Sequence, residues 1–238
     1  MPALLPAFLA RLFRRAPPLA APDPGQVVSV VGDVHGALEK LDSLLPRLPG
    51  QVILLGDLID RGDHSAAVLD LAAGAGIVTL MGNHEAMLLG FLDAPEAEGP
   101  RWLRNGGLQT LASLDVRGDL SPAGLPVLRD RLALALGEDR IAWLRARPRF
   151  WHGGNVLVAH AGADPALPPE MQDDALIWGH PDCGRKARRD GLWVVQGHVT
   201  VPEPRIARGV IMVDTGAWSG GPLTAVVLGD GAPRFEQV

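Results

Sequence analysis

Five apolar runs in this chain stop on residues able to bind a metal. In "GDVHG" an acid and an imidazole, Asp33 and His35, stand two residues apart, a spacing that places both side chains on one side of an extended backbone. Asp57 follows "QVILLG", Asn83 and His84 follow "IVTLMG", His160 closes "NVLVAH" and His198 closes "LWVVQGH". One Asp after a strand is ordinarily a turn or cap residue, and a lone His is ordinarily structural. Repeated at five strand ends, the pattern gathers carboxylates and imidazoles whose joint burial is costly without a cation. Asp33, His35, Asp57, Asn83, His160 and His198 offer oxygen and nitrogen donors and no thiolate. Such a set suits Mn, Fe or Zn rather than a dedicated Ca or Mg cage. These donors exceed the need of one ion. A bridging Asp, most naturally Asp57, would let two divalent ions sit about 3.5–4 Å apart, the arrangement that activates a hydroxide and stabilises in-line displacement at phosphorus.

The elements that must position these residues are legible in the same runs. Short continuous apolar stretches bounded by Gly (27–31, 51–57, 77–85, 155–162 and 192–198) read as strands buried on both faces. Helical spacing of apolar positions appears in "ALEKLDSLLPRL", "HSAAVLDLAAGAG" and "EAMLLGFLDA". A β-α-β-α-β-α start implies a parallel sheet with right-handed crossovers, with the ligand site at the carboxyl ends of its strands. Glycines before Asp33, Asp57, Asn83 and His198 allow tight turns and close backbone approach to the ions.

The 238 residues suffice for one globular domain with a sizeable core, expected over 26–238 with a cap-like, partly helical insertion at about 93–153. A net charge of −5 supplies no general basic field, so no nucleic-acid partner is expected. The single Cys183 excludes an internal disulfide and suits a reducing, cytoplasmic setting. Apolar runs all fall short of a transmembrane span. The start has its arginines after its apolar residues, the reverse of a secretory signal. Residues 1–25 read as a tail and Pro-rich linker, whose Leu5, Leu9, Leu12 and Phe13 would let a short helix dock on a partner or a membrane surface.

In their order, "GDVHG", "GDLIDRG", "GNHE", the His of "VAHAG" and the "GH" of "QGHVT" resemble the calcineurin-like metallophosphoesterases. Within that superfamily they resemble the phosphoprotein phosphatase branch and its bacterial and bacteriophage-lambda-type relatives, over about residues 27–228. "WLRNGG" and "VDTGAWSGGPLTAVVL" are similar to stretches of the lambda-type enzymes. The resemblance implies an α/β fold, a four-layer αββα sandwich of two face-to-face sheets with helices outside. It implies one ion on Asp33, His35 and Asp57, and a second on Asp57, Asn83, His160 and His198, most naturally Mn, with Fe or Zn possible. It further implies His84 as the general acid, Asp60 as the carboxylate that orients it, Arg61 as a phosphoryl clamp, and direct attack by a metal-bound hydroxide without a phosphoenzyme.

Two departures bear on function. The wider superfamily carries GHxH, whereas "GHVT" puts Thr200 where the second His would be, in keeping with the phosphatase branch. Lambda-type relatives tend to have a second phosphate-clamping Arg two positions after the Trp of an "IW" pair, where this chain has His180. Either His180 contacts phosphate or an arginine of "CGRKARR" (Arg185, Arg188, Arg189) replaces it, the second being favoured, with Arg185 as the candidate. Asn105 of "RNGG" is a candidate substrate contact or a turn residue. Asp214 reads as structural, His64 and His152 as structural or surface residues, and Trp218 as packing near the rim. The expected function is a metal-dependent phosphomonoesterase acting on phosphoserine and phosphothreonine in proteins. A dinucleoside polyphosphate (diadenosine tetraphosphate) hydrolase is the alternative, and a non-catalytic metal-binding protein the third reading.

Overall fold

A computed structural model describes residues 19–74 and 76–238. The tail docking expected of residues 1–18 lies outside the described residues. Strands β1 (Val28–Val31), β2 (Gln51–Leu54) and β3 (Ile77–Thr79) alternate with helices α1 (Leu38–Leu44) and α2 (Ser65–Ala72), and α3 (Asn83–Asp93) follows β3. These are the three βα units expected from the apolar runs. Helices α4 (Pro95–Trp102), α5 (Leu108–Ser113), α6 (Leu125–Leu136) and α7 (Glu138–Arg145) come next, a π-helical turn (Leu103–Gly107) joining α4 to α5. Then come β4 (Phe150–Gly153), β5 (Val156–Ala159), the short α8 (Ala175–Trp178), β6 (Trp193–Gln196), β7 (Arg205–Ala207), β8 (Val210–Met212), β9 (Thr224–Leu228) and β10 (Arg234–Gln237).

Two mixed five-stranded sheets result, ordered β10-β9-β1-β2-β3 and β4-β5-β6-β8-β7. In the first, β1, β2 and β3 are parallel, and β9 is antiparallel to β1 with Val30 opposite Val226. In the second, β5, β6 and β8 are parallel. The strands that carry the candidate ligands are therefore divided between two sheets, three in one and two in the other, whereas the β-α-β reading alone suggests a single parallel sheet. The apolar runs explain the arrangement. Alternate residues of each strand face the other sheet, so Val28, Val30, Ile53, Val156, Val158, Val195, Ile211 and Val226 close an inter-sheet core. The opposite faces meet helices. Val31 and Leu54 pack with Leu41, Val68, Leu88, Phe91 and Trp102, and Leu157 and Val194 lie under Leu176 of α8. Each side chain of the size of Val or Leu buried in this way contributes about 1.5–3 kcal/mol. The helical layer is uneven, thick on the first sheet and reduced to α8 and loops on the second.

Helices α4 to α7, which make up most of the segment 93–153, join the layer over the first sheet. The π-helical turn lies against the loop after β2, where the Gly106 carbonyl accepts the Arg61 N–H at 3.3 Å. The end of the Pro-rich stretch lies on the second sheet, the Trp193 indole donating to the Ala20 carbonyl and the Asn155 amide to that of Ala21. Among the described residues no helix is long and apolar enough to cross a membrane.

Candidate metal centre

The carboxyl ends of the parallel strands in both sheets converge on one rim, and backbone conformation marks it before any side chain is considered. Seven non-glycine residues among those described have positive φ, and five of them are His35 (φ 45°), Asp57 (49°), Asp60 (70°), Arg61 (67°) and His198 (63°). Such conformations cost of order 1–3 kcal/mol each and cluster at functional sites. Strand β1 ends at Val31, so this turn, and not strand alternation, aims His35. The turn after β2 is held by a residue that the motif reading left without a role. Buried Glu85 accepts the Asp57 and Gly82 N–H groups on Oε2 (2.8 and 3.1 Å) and the Leu58 N–H on Oε1 (2.8 Å). The glycines make room for neighbouring protein atoms. A Cβ at Gly56 would come within 2.7 Å of the Gly82 Cα, and one at Gly197 would strike the Asp33 carboxylate.

Asp57 sits at the middle of the resulting cluster. Its Oδ2 lies 3.5 Å from His35 Nε2 and 3.8 Å from His84 Nε2, and its Oδ1 is 3.4 Å from His160 Nε2. Asn83 Oδ1 is 2.8 Å from both His160 Nε2 and His198 Nδ1, and those two ring nitrogens are 3.2 Å apart. Two groups of potential ligand atoms arise, His35–Asp57–His84 and Asp57–His160–His198, with Asp57 common to both. Asp33 belongs to neither compact group. It is buried beside them, its carboxylate accepting the His198 N–H at 3.0 Å.

The protonation chemistry of this donor set fits cations. Burial pushes the His35 imidazole down to about 3 and His160 to about 4, and it lowers His198 as well. The neutral His35 donates from Nδ1 to the Ile59 carbonyl at 2.8 Å, which turns its Nε2 lone pair toward the Asp57 carboxylate. Burial opposes charge on Asp57, yet the surrounding imidazoles of His160, His84 and His35 hold its carboxyl below the usual range. Burial, together with the Asp57 and Asp214 carboxylates, raises Asp33 well above it. Lone pairs therefore face lone pairs across buried ground, the state that a divalent ion relieves and that metal-binding imidazole requires.

His84 differs from the other imidazoles. Burial works against its cation, but the hydrogen bond to Asp60 and the charges of Asp57 and Asp60 outweigh burial and raise its pKa. Its Nδ1 lies 2.6 Å from Asp60 Oδ2, while its buried Nε2 has no hydrogen-bond partner and faces the cluster. Asp60 is itself fixed from a distance in sequence. The Trp102 indole donates at 3.1 Å and the Thr110 hydroxyl at 2.6 Å, and Trp102 is stacked on Phe91. "WLRNGG" points to Trp102 only by resemblance, and nothing in the spacing points to Thr110.

The four candidate substrate contacts are placed differently. The Arg61 guanidinium lies at the rim, 5.1 Å from the Trp218 ring. Asn105 is exposed and donates to the Arg101 carbonyl within its own helical turn. His180 and Arg185 line a groove of about 470 Å³ that starts at His198 and also takes in Trp178, whose ring carries the Arg101 guanidinium at 4.0 Å. Arg188 is occupied elsewhere, paired with Asp190 and bonded to the Asp164 and Leu167 carbonyls. Thr200 donates to Asp214, whose other oxygen accepts the Gly216 N–H, so both close the loop beside His198. His64 and His152 are exposed, and neither belongs to the two groups of potential ligand atoms.

The comparisons agree with this geometry. Over its full similarity the chain is 29% identical to the asymmetrical bis(5'-nucleosyl)-tetraphosphatase PrpE of Bacillus velezensis, covering 82% of this chain and 86% of that protein. It is 31% identical to serine/threonine-protein phosphatase 1 of Salmonella typhimurium, covering 83% and 89% respectively. A solved structure described as a putative diadenosine tetraphosphatase superposes with a TM-score of 0.63 at 24% identity, over 91% of this chain and 95% of that one, a likeness of fold. The model of the calcineurin-like phosphoesterases matches residues 27–211, spanning the whole rim from "GDVHG" to the loop after His198, and the chain belongs to that family of metal-dependent phosphoester hydrolases.

Proposed function

We propose that this chain hydrolyses dinucleoside polyphosphates, with proteins phosphorylated on serine or threonine as the second reading. The observation that carries the first is the groove leaving His198, which sets Trp178, His180 and Arg185 beside the metal-ligand cluster. A long polyanion with a base at each end needs positive and aromatic surface beyond the scissile phosphorus. A phosphoserine side chain needs little more than the rim. The sequence ranks the phosphoprotein first, through its resemblance to the phosphoprotein phosphatase branch and because its basic cluster and tryptophans show no common location there. One arginine of that cluster, Arg185, and one tryptophan, Trp178, share the groove, and this favours the dinucleotide. The sequence similarity to PrpE adds support, and that to the Salmonella phosphatase keeps the second reading in place.

In this account Asp33, His35, Asp57, Asn83, His160 and His198 hold two divalent cations. When bound, these supply Lewis acidity toward the phosphoryl group and make water nucleophilic at neutral pH. The rest falls to the chain. Arg61 grips phosphoryl oxygens with its planar fork. His84, held through Nδ1 by Asp60, keeps a proton on Nε2 for delivery to the leaving oxygen. The strained turns at Asp57 and Asp60, fixed by Glu85, Trp102 and Thr110, keep these atoms from relaxing away from the reacting centre.

The test is a phosphorus NMR time course on Mn²⁺-loaded protein, with diadenosine tetraphosphate and a phosphoserine peptide in one tube and His84→Ala as control. Preferential splitting of the dinucleotide, lost in the control, is the expected result. Preferential release of phosphate from the peptide moves the chain to the second reading, and no hydrolysis of either overturns both.

A further inference from the structure

We propose that Trp218 is a positioning residue for Arg61. The inference rests on the reading of Arg61 as the phosphoryl clamp, and it concerns how that clamp is held. Among the described residues the Arg61 guanidinium has no carboxylate partner and no side-chain hydrogen bond. It lies instead over the Trp218 ring, 5.1 Å from Cζ to the ring centroid. That is within cation–π range, about 6 Å. A carboxylate at this point would neutralise the charge needed by phosphate, whereas an aromatic face orients a guanidinium and leaves its donors free.

The indole is in turn fixed. It stands edge-on to His35, ring centroids 6.4 Å apart at 82°, so the same side chain touches a candidate metal ligand and the clamp. It sits on a one-turn 3-10 helix (Ala217–Ser219) between two left-handed glycines, Gly216 (φ 73°) and Gly220 (φ 96°). The ammonium of Lys40, reaching from α1, bonds the carbonyls on both sides of the turn, Ala217 at 2.7 Å and Gly221 at 2.6 Å. Asp214 holds the Gly216 N–H at 2.9 Å. A loop this closely tied still leaves the largest side chain type 44% exposed at the mouth of a metal centre. A ring this exposed gains less from burial than a core tryptophan would. What it gains is the guanidinium over its face.

Arg61 follows a strained turn, with φ 67° after φ 70° at Asp60, and its long side chain is only half-buried, so it gains from a guide. Ordering a long side chain on binding costs entropy, and an aromatic rest lowers that cost before substrate arrives.

The experiment uses metal-loaded protein in four forms besides wild type: Trp218→Leu, Trp218→Phe, Arg61→Ala and the Trp218→Leu/Arg61→Ala double variant. Two readouts are taken, the dissociation constant of inorganic phosphate by calorimetry, and KM and kcat on p-nitrophenyl phosphate and diadenosine tetraphosphate. We expect Trp218→Leu to weaken phosphate binding and raise KM about two- to fivefold on both substrates, the size of an exposed cation–π contact. Trp218→Phe restores most of the loss, and the double variant is no worse than Arg61→Ala. A silent Trp218→Leu beside an impaired Arg61→Ala overturns the positioning role and leaves the functional reading standing. A loss that persists in the Arg61→Ala background, or that appears on the dinucleotide alone, overturns it as well by showing that the ring acts through something else. A silent Arg61→Ala removes the clamp reading on which the inference rests.

Discussion

Replacing Asp60 by Asn isolates the charge that holds His84. The side chains are isosteric, and the site admits the amide in one orientation. With its oxygen in the place of Oδ2 it still accepts from His84 Nδ1 (2.6 Å) and from the Trp102 indole (3.1 Å). Its nitrogen then faces the Thr110 hydroxyl (2.6 Å), which turns from donor to acceptor. The Trp102 indole keeps its bond to the amide oxygen but meets the NH₂ group at the former Oδ1 position, 3.1 Å away, so the variant folds with some loss of stability. What changes is that a charge-assisted hydrogen bond becomes a neutral one, from about 1.5–3 to about 0.5–1.5 kcal/mol. The difference, about 1–1.5 kcal/mol, makes the imidazolium roughly five- to thirteenfold scarcer at pH values above its pKa. His84 has a raised pKa in the wild type because the Asp60 bond and the neighbouring carboxylates overcome burial, and a general acid works only while protonated. Activity on the alkaline side therefore falls as pH rises through that pKa, and in Asp60→Asn the fall begins at lower pH. The assay is the pH dependence of kcat for both proteins with equal metal content. An alkaline limb that stays in place, with kcat uniformly reduced or unchanged, refutes the role given to the pair.

Further outcomes follow from the same structure. Glu85→Gln leaves two backbone N–H groups facing an amide NH₂, costing about 2–6 kcal/mol and roughly 5–20 °C in Tm, read by thermal unfolding; a Tm within two degrees of wild type contradicts the bracing role. The imidazoles of His35 and His160, lowered to about 3 and about 4, stay unprotonated far below the ordinary His range. Bound metal should accordingly survive dialysis at pH 5.5 and be lost near pH 3.5, whereas half-loss around pH 6.5 would show ordinary ligands. Arg185→Ala and His180→Ala should raise KM for diadenosine tetraphosphate about three- to tenfold and leave p-nitrophenyl phosphate within twofold; equal effects on both would take the groove out of substrate recognition.

Much of the candidate site is legible in the chain because the candidate metal-ligand residues end apolar runs. Asp57, Asn83, His84, His160 and His198 each announce themselves where a strand must stop. Helix α3 is legible in "EAMLLGFLDA", but it begins at Asn83, inside the stretch 77–85 that reads as a strand. The two-sheet division is not, since β5 and β6 carry the same apolar pattern as β1 to β3 and nothing local says which sheet will take them. Glu85 is hidden by its position within a helix, where a buried carboxylate has no periodic signature, and its bonds go back to a turn nearly thirty residues earlier. Thr110 supports Asp60 across fifty residues, a contact made only by packing the helical layer. Arg188 and Arg185 stand three positions apart in one basic cluster, and only tertiary hydrogen bonds separate the structural one from the one lining the groove.

The most direct test of the central claim is metal content against turnover in wild type and Asp57→Asn. Asp57 lies in both potential ligand groups, so its loss should weaken both sites together. Stripped wild-type protein titrated with Mn²⁺ should bind two ions per chain and gain hydrolysis with them. Asp57→Asn should bind less than one under the same conditions and hydrolyse at least a hundredfold more slowly. Full occupancy in the variant, or hydrolysis by the stripped wild type, would contradict a shared centre built on Asp57.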